Sequence, residues 1–154
     1  MYGFSVMYPD TWEVEIGPRS TPAAGDIAFR TRGIRIFLSW GPLEEKRKQF
    51  DSLDTQVDDS LKRMKKGADV RKLEIVDRNE RTIVGHRAIF NSAKLTLGVG
   101  VMALKASKRE VCTLHFYCEP SRKFFALYMD AAGQFQSISS DIFTHMSETL
   151  TCHR

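Results

Sequence analysis

Long hydrophobic runs are missing from this sequence: no apolar stretch approaches the roughly 18 residues of a bilayer-spanning helix. The opening MYGFSVMYPD has no basic flank, long apolar core or small-residue cleavage site, so it does not read as a secretory signal. Cysteine is scarce and odd in number, 3 in 154 residues, which argues against a closed disulfide framework and for a reducing compartment. The expected location is the cytoplasm. Blocks of one charge are missing too, since Lys46-Arg47-Lys48 follows Glu44-Glu45, and 23 basic against 19 acidic residues leave a net charge of only +4. Such a balance argues against a nucleic-acid-binding arm. There is no nucleophile elbow, P-loop, dinucleotide glycine fingerprint or HExxH motif, so no catalytic residue, metal ligand or cofactor is assigned. Internal repeats and low-complexity tracts are also absent, leaving one domain, 1–154, long enough to bury roughly 70% of its unfolded surface.

What is present is mostly alternation. FSVMY (4–8) and WEVEI (12–16) read as two short strands about a Pro9-Asp10 turn, with Trp12, Val14 and Ile16 opposed to Glu13 and Glu15. GPRSTPAAGD (17–26) reads as a surface loop. IAFRTRGIRIFLSW (27–40) gives two strands hinged at Gly33. From Glu44 to Lys66 the period changes. Phe50, Leu53, Val57, Leu61 and Met64 form one stripe at steps of three and four, predicting a single long helix with acids at its start, bases at its end and Gly67 as a left-handed cap. Its polar face offers the pairs Glu44–Lys48, Asp58–Lys62 and Asp59–Arg63.

Residues 70–129 then read as a meander of long antiparallel strands. Turns are predicted at Asp77–Asn79, Ser107–Glu110 and Glu119–Arg122, and bends or bulges at Gly85, Gly98 and Gly100. A last helix over about 134–150 carries Phe135, Ile138, Ile142, Phe143, Met146 and Leu150. Two apolar helices and many strands predict an α+β fold, a central antiparallel sheet flanked by helices, with the middle of the sheet covered on both sides.

Cys112, His115 and Cys118 stand at even intervals in VCTLHFYC and mimic a zinc motif. On a strand, His115 faces away from both thiols, and the thiols lie roughly 20 Å apart, whereas zinc holds thiolate at about 2.3 Å. These three cannot share a metal, nor can the two thiols form a disulfide. The pairing that survives is Cys118 with Cys152, a bridge or thiol contact where a strand tip meets the end of the last helix. His153 is a weaker added ligand, and His86 and His145 stand isolated. Arg30, Arg32 and Arg35 flank a strand bend and are candidates for contacting an anionic surface or partner.

In order of elements, GFSVMYPDTWEVE, the long amphipathic helix, IVGHRAIF, the hairpin FYCEPSRKFFALYM and a closing helix ending SETLTCH, the chain resembles the PsbP/DcrB-like fold. That fold is shared by the thylakoid protein PsbP, bacterial DcrB-like proteins and a small Ran-binding nuclear import factor. The resemblance implies an α/β/α sandwich and binding or assembly roles without catalysis. It transfers no functional residue: no motif here matches the metal and chloride positions of the plant protein or the Ran-contacting surface of the import factor. The expected function is a non-enzymatic module that binds another protein through loop 17–26, the arginine-bearing strands or an exposed helix face. The alternative is a small-molecule or anion-binding protein, or an enzyme without a known motif, using a cleft between helix and sheet.

Overall fold

Period-two alternation takes the form of one seven-stranded antiparallel sheet in the computed structural model, which describes residues 2–99 and 105–153. The strands are β1 (Glu13–Ile16), β2 (Gly25–Thr31), β3 (Ile34–Pro42), β4 (Val70–Ile83), β5 (His86–Val99), β6 (Lys105–Cys118) and β7 (Lys123–Ala132). Their spatial order is β1-β2-β3-β7-β6-β5-β4. After β3 the chain crosses one face as helices α1 (Leu43–Gln49) and α2 (Leu53–Lys65), reaches the far edge at β4, and meanders back until β7 pairs with β3. A short 3-10 turn, Gly133–Phe135, leads into α3 (Gln136–Thr149) on the opposite face. The fold is thus α+β, a sheet with helices on both sides.

The main core lies under α3. Ile36, Leu38 and Trp40 of β3 meet Leu114 and Phe116 of β6 and Phe125, Leu127 and Met129 of β7, with Phe143 and Met146 of the helix above them. Each such buried side chain contributes roughly 1.5–3 kcal/mol. Phe4 closes this core, but 4–8 is not a strand: only Ser5 pairs, in an isolated bridge to Thr151. The segment covers the apolar layer and so has no neighbour to ladder with.

The expected long helix is two. Ser52 accepts a hydrogen bond from the Thr55 backbone N–H at 3.1 Å and so caps a new helix, while Phe50 leaves the first in an extended conformation. The stripe is nevertheless continuous, with Leu53 and Val57 buried against Ile89. Of the expected polar pairs, Asp59–Arg63 forms at 2.9 Å, whereas Asp58 reaches across to Arg78 and Glu44 lies near Arg47. Gly67 is not left-handed; Lys66 closes α2 by donating its backbone N–H to Lys62 O.

Turn chemistry misled at two places. Asp77–Asn79 lies within β4 beside a register shift, because an edge strand tolerates polar side chains and bulges, and Ser107–Glu110 lies within β6. The β4–β5 turn is Val84-Gly85, with φ of +50° and +80°, the mirror-image geometry that suits two-residue hairpins. Gly98 pairs regularly with Ala106, and Gly100 is outside the described residues. Glu119–Arg122 is a turn as expected.

The second face, under α2, is more polar. His115 is buried there beside Ile89 and Ala126 in register, and burial, with the nearby Lys46 ammonium, depresses its imidazolium to a pKa of about 4. Neighbouring Asn91 and Thr113 are buried without a hydrogen-bond partner among the described residues for their side-chain polar atoms. The unfolded chain takes up a proton on this histidine near 6.5 whereas the folded protein stays neutral to about 4. Stability supplied by neutral His115 is therefore complete above 6.5, falls with pH, and levels off near 4, a loss of about 3 kcal/mol. Urea unfolding of His115→Leu from pH 7 to 4 is expected to lack this component; a profile parallel to that of the wild type would refute it.

Gly33 closes the β2–β3 turn at φ +78°, and a Cβ there would meet the Phe135 ring at 2.3 Å. Gly85 has φ +80° with open space around it. Gly33→Ala should therefore cost about 3 kcal/mol in urea unfolding, backbone strain plus overpacking, and Gly85→Ala only about 1 kcal/mol. Equal costs would show that Phe135 yields without penalty.

Candidate functional site

Four potential donors converge where the β4–β5 turn, the end of β6 and the segment after α3 meet. The β5–β6 register ends at the pair Ala88 and Phe116, and His86 and Cys118, each two residues beyond it, have ligand atoms within 4.8 Å of each other. The third element is fixed by the bridge in which Ser5 N donates to Thr151 O at 3.0 Å and Thr151 N to Ser5 O at 2.8 Å. Cys152 and His153 follow directly. One ligand atom from each of His86, Cys118, Cys152 and His153 lies within 4.8 Å of all the others. His153 Nδ1 stands 3.4 Å from Cys118 Sγ and 3.2 Å from Cys152 Sγ.

Aromatic packing holds the imidazoles. His86 stacks on Phe116 with an interplanar angle of 10°, Phe116 stacks on Phe125, and His153 meets His86 edge-on with centroids 5.2 Å apart. Both sulfurs are fully buried, and burial followed by the neighbouring Cys118 pushes the Cys152 thiol up to about 12. Burial, then His153, lowers the pKa of His86, whose Nε2 is buried and has no hydrogen-bond partner among the described residues. Chemically this is a cluster of two buried sulfurs and two partly exposed imidazoles, a donor set suited to a thiophilic cation.

The strand argument for Cys112 and His115 agrees with the coordinates, as Cys112 lies in the core under α3 and His115 on the opposite face. Cys118 and Cys152 come together as free thiols. Spacing missed His86, because only the register of a distant hairpin brings it to Cys118. His145 lies apart, in a shallow groove with Met7, Tyr8 and Ile142.

Two other surfaces bear on function. Arg30 and Arg35 are direct cross-strand neighbours, paired with Glu15 at 2.9 Å and Asp130 at 3.2 Å, and Arg109 also binds Asp130. Arg32 is exposed in the turn. Loop 17–24 is tied down where Trp40 Nε1 donates to Thr21 O at 3.1 Å. Between β4–β6 and the start of α3 lies a cleft of about 410 Å³ lined by Lys72, Lys94, Lys108, Glu110 and Gln136. Burial raises the Glu110 pKa there.

No protein-family model matches the chain, and no curated protein matches its sequence. Solved structures do resemble it. Cyanobacterial PsbP (CyanoP) from Synechocystis superposes with a TM-score of 0.68 at 13% identity, covering 97% of this chain and 86% of that one. The Saccharomyces cerevisiae Ran-binding protein Mog1p gives 0.60 at 7% identity, covering 97% and 90%. LpqN of Mycobacterium tuberculosis, involved in cell envelope biogenesis, gives 0.54 at 14% identity, covering 96% and 82%. Superposition over 97% of the chain in both cases carries the conclusion: this chain has the PsbP/Mog1p fold.

Proposed function

We propose that this chain is a non-catalytic binding module that engages another protein. The supporting observation is an apolar margin on the α3 side, next to edge strand β1. Met7 is 63% exposed, Tyr8, Val14 and Ile16 are exposed as well, and Met7 and Tyr8 line a shallow groove with Ile142 of α3. The Tyr8 ring lies 5.0 Å from Phe29, whose register partner is Val14, so the N-terminal segment and the edge strand form one surface. Loop 17–24 follows Ile16 directly, while the Arg30–Glu15 pair lies on the opposite face of the strand. Large exposed apolar side chains gathered at an open strand edge favour a partner that adds backbone pairing and apolar contact. Mog1p, with the same fold, is a Ran-binding protein. Three unbridged thiols suit the reducing cytoplasm, which is part of this proposal.

The test is affinity capture from source lysate with wild type and with Met7→Asp/Ile16→Glu. Both positions are exposed, so the midpoint of thermal unfolding should hold while one recurrent protein is lost from the variant. An identical set of captured proteins would refute the proposed face.

A second reading rests on the cleft, where Lys72, Lys94, Lys108 and Arg109 outnumber Glu74 and Glu110 in the lining: an anionic small molecule bound between helix and sheet. Citrate or pyrophosphate at millimolar concentration should then raise the thermal midpoint of wild type and not of Lys94→Glu/Lys108→Glu. Equal shifts in both would exclude it.

A further inference from the structure

We propose that His86, Cys118, Cys152 and His153 form a tetrahedral zinc site that fastens the segment after α3 to the β4–β5 turn and the end of β6. Two sulfurs and two imidazole nitrogens are the donor set that zinc takes in structural sites, with Zn–S near ~2.3 Å and Zn–N near ~2.0–2.1 Å. A regular site of that kind has donor–donor edges of roughly 3.4–3.8 Å. His153 Nδ1 already stands at 3.4 and 3.2 Å from the two sulfurs, and the whole set lies within 4.8 Å, so closure on an ion requires the longest edge to contract by about 1 Å.

A separate observation points the same way. His86 Nε2 is buried with no hydrogen-bond partner among the described residues, an arrangement that costs stability unless something accepts or supplies a contact there. A cation answers it. Two thiolates and a divalent ion sum to zero charge, so metal binding would place no net charge among Phe116, Phe125 and their neighbours. The four ligands come from three elements, each anchored independently by the sheet register, the hairpin turn or the Ser5–Thr151 bridge. The site lies apart from the proposed partner face, and either reading can fail without the other.

The experiment uses the full chain, purified reduced, stripped with chelator and titrated with Co²⁺ and then Zn²⁺. Expected are one cobalt per chain, thiolate-to-cobalt charge transfer, tetrahedral ligand-field bands, and displacement by zinc. Zinc should also raise the thermal midpoint by about 5 °C or more. His86→Phe and His153→Phe keep the ring and remove the donor, and each should weaken zinc binding about tenfold or more, as should Cys118→Ser. Cys112→Ser should bind as wild type. An octahedral cobalt spectrum without charge transfer, unchanged affinity in His86→Phe, or no cobalt or zinc uptake by the fully reduced chain would overturn the assignment. Should Cys118→Ser fail to fold, the two partly exposed histidine positions decide.

Discussion

Everything in this molecule depends on the register of the four-strand meander. Side chains alternate along β6, so one strand serves two chemically different faces: Cys112, Leu114, Phe116 and Cys118 toward α3, and Thr113, His115 and Tyr117 toward α2. A slip of one residue would exchange these sets and put His115 under α3 and the thiols under α2. The tight Val84-Gly85 turn fixes that register at one end by accepting a β-branched residue at positive φ, and the anchored turn beside Arg122 fixes it at the next.

The two faces differ in kind. Under α3 the contacts are aromatic and aliphatic, with a row running from Tyr2 and Trp40 through Phe4, Phe125 and Phe116 to His86 and His153. Under α2 they are mixed: Tyr117 donates to Gln56 at 2.6 Å, while His115, Asn91 and Thr113 sit buried nearby. Cysteine and histidine acquire different roles from these surroundings. His115 is a neutral core residue, whereas His86, of the same chemistry, lies at the rim with a nitrogen toward two sulfurs. The apolar margin near β1 arises from a related cause. Strand β1 is short and lies at the edge of the sheet, so Val14 and Ile16 point to the side of the core but remain exposed.

Much of this was legible from residues alone. The helical stripe of α2, the alternation of β3 and β6, the closing helix and the antiparallel layer all follow from periodicity, because period reports which face is dry. The failures share one reason. Asp77–Asn79 looks like a turn and lies within β4, while the chain turns at the expected bend at Gly85, since pairing with β5 outweighs local preference. Ser52 resembles any surface serine until its capping bond splits the helix. Segment 4–8 has the pattern of a strand, but Phe4 and Val6 pack on the apolar core and the segment pairs only through the Ser5–Thr151 bridge among the described residues.

By itself the sequence determined the period of each segment, the balance of charge, and the exclusion of Cys112, His115 and Cys118 as a shared ligand set, since a pleated strand separates neighbours whatever surrounds it. Only the tertiary structure decided that His86 meets Cys118, Cys152 and His153, because that meeting depends on hairpin register and on the Ser5–Thr151 bridge. Both are contacts between residues far apart in the chain, and no local pattern encodes them.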